Sequence, residues 1–133
     1  MHNEPYLIEF PKIGNSVQGY ISVAEKHTLP FEPKRIYWTY FTPESVERGG
    51  HAHYGLEQIM VAVSGKIIVN TERPNGKTNQ FILESPMVGL YFPKMVWHTM
   101  KYTHNAVQMC IANMEYREDD YIRDYEKFKS ITL

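Results

Sequence analysis

The chain has 133 residues, 43% hydrophobic and 14% aromatic, with 14 basic side chains against 15 acidic ones and a formal net charge of -1. That length supports one domain, 1–133, with a core that needs no metal or disulfide staple, and the composition excludes a disordered tail. So balanced a charge supplies no global field toward nucleic acid or anionic lipid, so neither is expected as a partner, and an anionic ligand must be held locally.

The N-terminal MHNEPYLIEFPK lacks a basic region followed by an apolar stretch of signal-peptide length, and no later segment approaches about 20 apolar residues. A soluble cytoplasmic protein is the expectation. Short β-like runs then follow one another: YLIEF at 6–10, GYISVAE at 19–25, KRIYWTYF at 34–41, QIMVAVSG at 58–65, KIIVNTE at 66–72, QFILE at 80–84, VGLYF at 88–92 and AVQMCIAN at 106–113. The series predicts a closed barrel or a sandwich rather than alternating strands and helices. Ser64 and Gly65 make a tight connection, and Arg73 to Lys77, with its Asn-Gly pair, a looser hairpin. The lone Cys110 lies in an apolar run and reads as a buried core thiol.

The pattern changes at NMEYREDDYIRDYEKFKSITL, where Tyr121, Ile122, Tyr125 and Phe128 recur at helical spacing. Asp119 and Asp120 near its start and Lys127 and Lys129 toward its end suit a helix dipole. A C-terminal helix capping one side or mouth of the barrel is predicted.

His51 and His53 stand two apart, so on an extended chain both imidazoles leave the same face. If the run ERGGHAHYGLEQIMVAVSG is one strand, the phase continues through Glu57, Ile59, Val61 and Val63. His98 follows the turn-like FPKMVWH, and His51, His53, Glu57 and His98 together have the spacing by which cupin barrels gather three histidines and a glutamate. Those four could coordinate a divalent transition ion. Alternatively, neutral histidines could exchange protons near pH 7 without metal, and spacing does not choose between the two. His2, His27 and His104 carry no comparable spacing and read as surface or loop residues. Tyr37 and Tyr91 are candidate cavity donors, and Arg35 and Arg48 candidate phosphate partners or solvated strand-end charges.

Across its length the chain resembles the nucleotide-sugar 3,4-ketoisomerases, the WxcM-like or FdtA-like single-domain cupins. The resemblance rests on IEFPKIG, PFEPKRIYW, RGGHAH followed by LEQ, VSGK, GLYFPKMVWH and YREDDYIRDYEKF. It implies a mainly β cupin fold, a double-stranded β-helix or jelly-roll barrel with a short C-terminal helix. It implies conversion of dTDP-4-keto-6-deoxyglucose to its 3-keto isomer for 3-amino-deoxysugars, without redox cofactor or catalytic metal, in homodimers that exchange N-terminal strands. Matching motifs make His51, His53 and Tyr37 catalytic and assign Arg48 and His98 to the substrate, alongside the candidates Arg35, Glu57 and Tyr91. Ser16 and Gln18 replace a charged pair common in the family, and Tyr54 its usual lysine, so the resemblance fixes neither the exact sugar nor the C4 configuration of the 3-keto product. A metal-dependent cupin isomerase or epimerase, and a noncatalytic sugar-nucleotide sensor, are the competing readings.

Overall fold

Alternating apolar and polar residues separated by Gly, Pro and Asn produce short strands and little else. The computed structural model describes residues 4–131; His2 lies outside them. In chain order the strands are β1 (Tyr6–Glu9), β2 (Lys12–Asn15), β3 (Gly19–Ser22), β4 (Arg35–Tyr40), β5 (Arg48–His53), β6 (Gln58–Ser64), β7 (Ile67–Glu72), β8 (Thr78–Leu83), β9 (Val88–Phe92), β10 (Trp97–Tyr102), β11 (Val107–Ala112) and β12 (Tyr121–Ile122). A 3-10 turn at Glu118–Asp120 precedes β12, and helix α1 spans Tyr125–Ser130.

The expected jelly-roll barrel is corrected here. The strands form two open five-stranded sheets, β1-β9-β6-β11-β4 and β12-β5-β10-β7-β8, with β2-β3 as a separate hairpin. Barrel closure requires one edge strand to hydrogen-bond the opposite edge; among the described residues no ladder joins the two sheets. Side chains join them instead. Met60, Ala62, Leu90, Phe92 and Cys110 from the first sheet share one buried cluster with Ile67, Val69, Leu83, Met100 and Tyr102 from the second, the packing of a β-sandwich.

Both outer faces are partly covered. Phe10, Tyr6 and Ile8 pack on Ile59, Val61 and Tyr91 behind the first sheet. Phe128 of α1 packs with Ala52, Met95 and Ile122 behind the second, and Tyr125 and Lys129 tie α1 to Glu72 at 2.9 and 2.8 Å. Cys110 is buried, whereas His27 and His104 are exposed. No helix among the described residues is long and apolar enough to cross a membrane.

Three local expectations change. The histidine run is not one strand: β5 ends at His53, the chain turns through 54–57, and β6 begins in the other sheet, which breaks the phase that would have carried Glu57 beside the histidines. His98 follows the expected turn at 93–96 but sits within β10, a strand absent from the β-like runs read along the sequence. The predicted helix shrinks to six residues because Asp124 caps it, accepting from the backbone of Glu126 at 3.0 Å and Lys127 at 3.4 Å. Tyr121 and Ile122 pair instead with His53 and Ala52.

Gly65 turns between β6 and β7 at φ +71°, and a Cβ there would lie 2.6 Å from Ala106 Cα. Gly76, at φ +91° in the β7–β8 hairpin, would meet only Lys129 Nζ at 3.8 Å. In urea unfolding, Gly65→Ala is expected to lose about 2–4 kcal/mol, from left-handed strain plus backbone overlap, and Gly76→Ala only about 1 kcal/mol.

Candidate active site

The two glycines ahead of His51 determine which side chains share a face. In the β5–β10 ladder His51 lies opposite His98, Gly49 opposite Thr99 and Arg48 opposite Met100, with the register shift that leaves Gly50 unpaired. Gly49 and Gly50 have φ of 89° and 74°, and a Cβ on Gly49 would reach within 2.7 Å of the His98 carbonyl oxygen. Such a bulge reverses the alternation locally. Arg48 and His51, three apart, therefore both follow inward-facing partners, since Met100 belongs to the inner cluster.

Three imidazoles converge on this inner face. The ring centroids of His51 and His98 are 4.7 Å apart, those of His51 and His53 5.0 Å, and those of His53 and His98 6.0 Å. One ring nitrogen from each lies within 4.8 Å of the others. Burial, reinforced by the neighbouring His98, lowers His51 to a pKa of about 3 and His53 to about 2. Burial also lowers His98 to about 4, against a smaller opposing effect of its hydrogen bond to the Val96 carbonyl at 3.0 Å. A carbonyl only accepts, so neutral His98 donates from Nδ1 and keeps its Nε2 lone pair. His51 Nδ1 is buried without a hydrogen bond of ordinary geometry, although the Gly49 backbone lies close enough to favour its charged form.

Tyr121 leans on His51 and His53 at 5.0 and 4.4 Å, and Arg123 stacks over Tyr121 at 4.1 Å. The facing wall comes from the first sheet, where β4 alternates and turns Arg35 and Tyr37 inward while Ile36, Trp38 and Tyr40 stay exposed. Tyr37 donates to Gln58 Oε1 at 2.7 Å. Burial and then the adjacent Cys110 raise its pKa, so its phenol remains a neutral donor. The Arg35 guanidinium lies 5.0 Å from the Tyr37 ring centroid, and its buried Nε has no partner. Arg48 reaches Tyr102, whose hydroxyl donates to Gln108 Oε1 at 2.6 Å.

The arrangement thus gathers His51, His53, His98, Tyr37 and Arg35; Arg48 is exposed at the start of β5 beside Tyr102, and Glu57 and Tyr91 lie elsewhere. Tyr91 packs with Ile59 and Val61 behind the first sheet, where its hydroxyl donates to Glu57 Oε1 at 2.5 Å. Asn113 holds the other Glu57 oxygen at 3.3 Å. Their assignment beside the histidines is corrected, because alternation along β9 sends Leu90 and Phe92 inward and Tyr91 outward. Gln58 and Tyr121 went unread in the sequence; Gln58 adjoins the expected Glu57, and Tyr121 was absorbed into a helical pattern. The three imidazoles alone could hold a divalent transition ion through nitrogen, leaving positions open.

Neutral imidazoles and a phenol donor between two sheets have the chemistry to exchange protons with a bound group, and a nearby arginine the chemistry to hold an anion. The chain belongs to the FdtA family, described as WxcM-like, C-terminal, whose model matches residues 3–132. It is 38% identical over 127 residues to the TDP-4-oxo-6-deoxy-alpha-D-glucose-3,4-oxoisomerase of Aneurinibacillus thermoaerophilus, covering 95% of this chain and 91% of that one. A 3,4-ketoisomerase from Helicobacter canadensis superimposes with a TM-score of 0.90 at 31% identity, over 96% of both chains. A sugar 3,4-ketoisomerase from Thermoanaerobacterium thermosaccharolyticum, in complex with TDP, does so with a TM-score of 0.90 at 30% identity, over 97% of this chain and 94% of that one.

The lowered histidine values carry a stability consequence. Unfolded histidines protonate near pH 6.5 while the folded rings stay neutral, so the unfolded state binds more protons below that pH. Their contribution is complete above about pH 6.5 and is lost as pH falls toward the folded values, by up to about 1.4 kcal/mol per pH unit for each ring. Thermal melting should therefore fall progressively from pH 7 to 4.5, and less steeply in His98→Gln.

Proposed function

We propose that the chain is a sugar-nucleotide 3,4-ketoisomerase that acts in the cytoplasm, as one domain over 1–133, on dTDP-4-keto-6-deoxy-D-glucose. The product is a dTDP-3-keto-6-deoxyhexose, whose carbonyl serves synthesis of 3-amino-deoxysugars. The observation that carries this reading is the trio of neutral imidazoles with ring nitrogens within 4.8 Å, and the activity named for the 38% identical relative supports the substrate.

In this reading His51 takes the proton from C3. The electron pair moves into a C3–C4 double bond, the C4 oxygen becomes enediolate or enediol, the C3 hydroxyl proton departs and a proton returns at C4. Nothing is oxidised or reduced overall. His53 orients His51 or relays the proton, and the neutral Tyr37 hydroxyl donates to the oxygen on which charge develops. Arg35 and Arg48 hold the diphosphate through forked contacts, and His98 meets the sugar. Support for Arg35 comes from its buried, unpartnered Nε, which a phosphate oxygen would satisfy.

Incubation with dTDP-4-keto-6-deoxyglucose in deuterated water, followed by NMR, should give a 3-keto sugar with deuterium at C4. His51→Asn should lower kcat by about 10²- to 10⁴-fold while dTDP affinity stays within a few-fold; near-normal turnover would overturn the base assignment. Bound dTDP-sugar with no isotope exchange from solvent would favour a sensor. The histidine geometry also keeps a metal-dependent reading open to test: elemental analysis and activity before and after chelation decide it, and unchanged turnover after chelation is expected.

Homodimerisation with exchanged N-terminal strands belongs to the same proposal. In the single chain β1 pairs with β9 of its own sheet, Tyr6 opposite Tyr91. Ile36, Trp38 and Tyr40 remain exposed on the outer face of that sheet, beside a groove lined by Val61, Val63, Met109 and Ile111. Light scattering should give twice the chain mass of 15.6 kDa.

A further inference from the structure

One carboxylate near the histidines has no role in the chemistry above. Asp120 is only 8% exposed. Burying a carboxylate is costly unless hydrogen bonds satisfy it. Its Oδ1 accepts from the Gly55 backbone N–H at 2.8 Å and its Oδ2 from that of Leu56 at 3.2 Å. The same Oδ2 lies 3.4 Å from His53 Nδ1, a buried nitrogen without a hydrogen bond of ordinary geometry.

The surrounding backbone holds this pair in register. The Asp120 carbonyl accepts from Tyr54 N at 3.0 Å, Tyr121 pairs with His53, and the His53 carbonyl accepts from Met95 N at 2.8 Å. The 3-10 turn is thus fastened to the strand end that carries the second histidine. His51, His98, Arg35 and Arg123 all disfavour charge on the His53 ring; the Asp120 carboxylate, 3.4 Å from Nδ1, approaches the same ring from the strand end.

We infer that Asp120 is a positioning residue of the proposed isomerase: its carboxylate holds the His53 proton on Nδ1 and leaves the Nε2 lone pair facing the other two imidazoles. An ionised carboxylate can only accept, so a neutral His53 hydrogen-bonded to it must be the Nδ1–H tautomer. That tautomer is the same one the Val96 carbonyl selects for His98. During turnover His53 Nε2 would take a proton and return it, while Asp120 keeps its charge and offsets the transient imidazolium.

The inference rests on the isomerase reading, and its first test needs no turnover. Nitrogen-15 histidine NMR of the wild-type chain, with His53 assigned through His53→Asn, should show a protonated Nδ1 and an unprotonated Nε2. A proton on Nε2 would overturn the inference, whatever the enzyme assay gives. Asp120→Asn retains an acceptor for one backbone N–H but can present an amide N–H to the ring. It should shift the His53 tautomer and lower kcat about 10- to 100-fold, with KM within threefold. Turnover within threefold of wild type would overturn the inference. Absence of isomerisation by the wild-type chain would instead sink the isomerase reading and leave the tautomer measurement decisive on its own.

Discussion

Pairing of β5 with β10 across the Gly49–Gly50 bulge is the constraint on which the site depends. Regular alternation would send Arg48 and His51 to opposite faces; the unpaired Gly50 returns both to the inner one. The Gly49 carbon has no room for a Cβ against the His98 carbonyl. Close approach of these strands is what brings the His51 and His98 ring centroids to 4.7 Å. A side chain at Gly49 would therefore disturb the ladder and the chemistry together.

Burial then determines the chemical character of that cluster. Between two apolar inner faces, charging any of the three imidazoles is unfavourable; His98 makes it worse for His51, and His98 and His51 make it worse for His53. The rings stay neutral at physiological pH and so present lone pairs for proton abstraction. Across the gap, Tyr37 stays protonated for the same reason. Neutral imidazoles and a protonated phenol thus arise from one physical cause, acting in opposite directions on a cationic acid and a neutral one.

The first sheet separates two polar groups that the spacing alone had joined. On its inner side Tyr37 donates to Gln58. On its outer side Tyr91 and Asn113 hold Glu57. Adjacent residues of one segment serve opposite faces, and the nitrogen-only character of the histidine cluster follows from that division.

Much was legible in the residues themselves. VGLYF at 88–92 became β9 with those limits, and the Asn-Gly hairpin joins β7 to β8, because turn chemistry and period-two alternation act within a few residues. The shared face of His51 and His53 is likewise a local property of an extended chain. What local pattern could not supply was where one strand stops and another sheet begins. The turn after His53, the bulge before His51, the strand carrying His98 and the pairing of Tyr121 with His53 all depend on partners distant in sequence. Sheet closure is of the same kind: strand-forming residues specify ladders, but whether the outer strands meet depends on how two packed faces fill the space between them. Residue chemistry and short-range geometry determined the acid-base groups; long-range hydrogen bonding and side-chain packing decided which of them face one another.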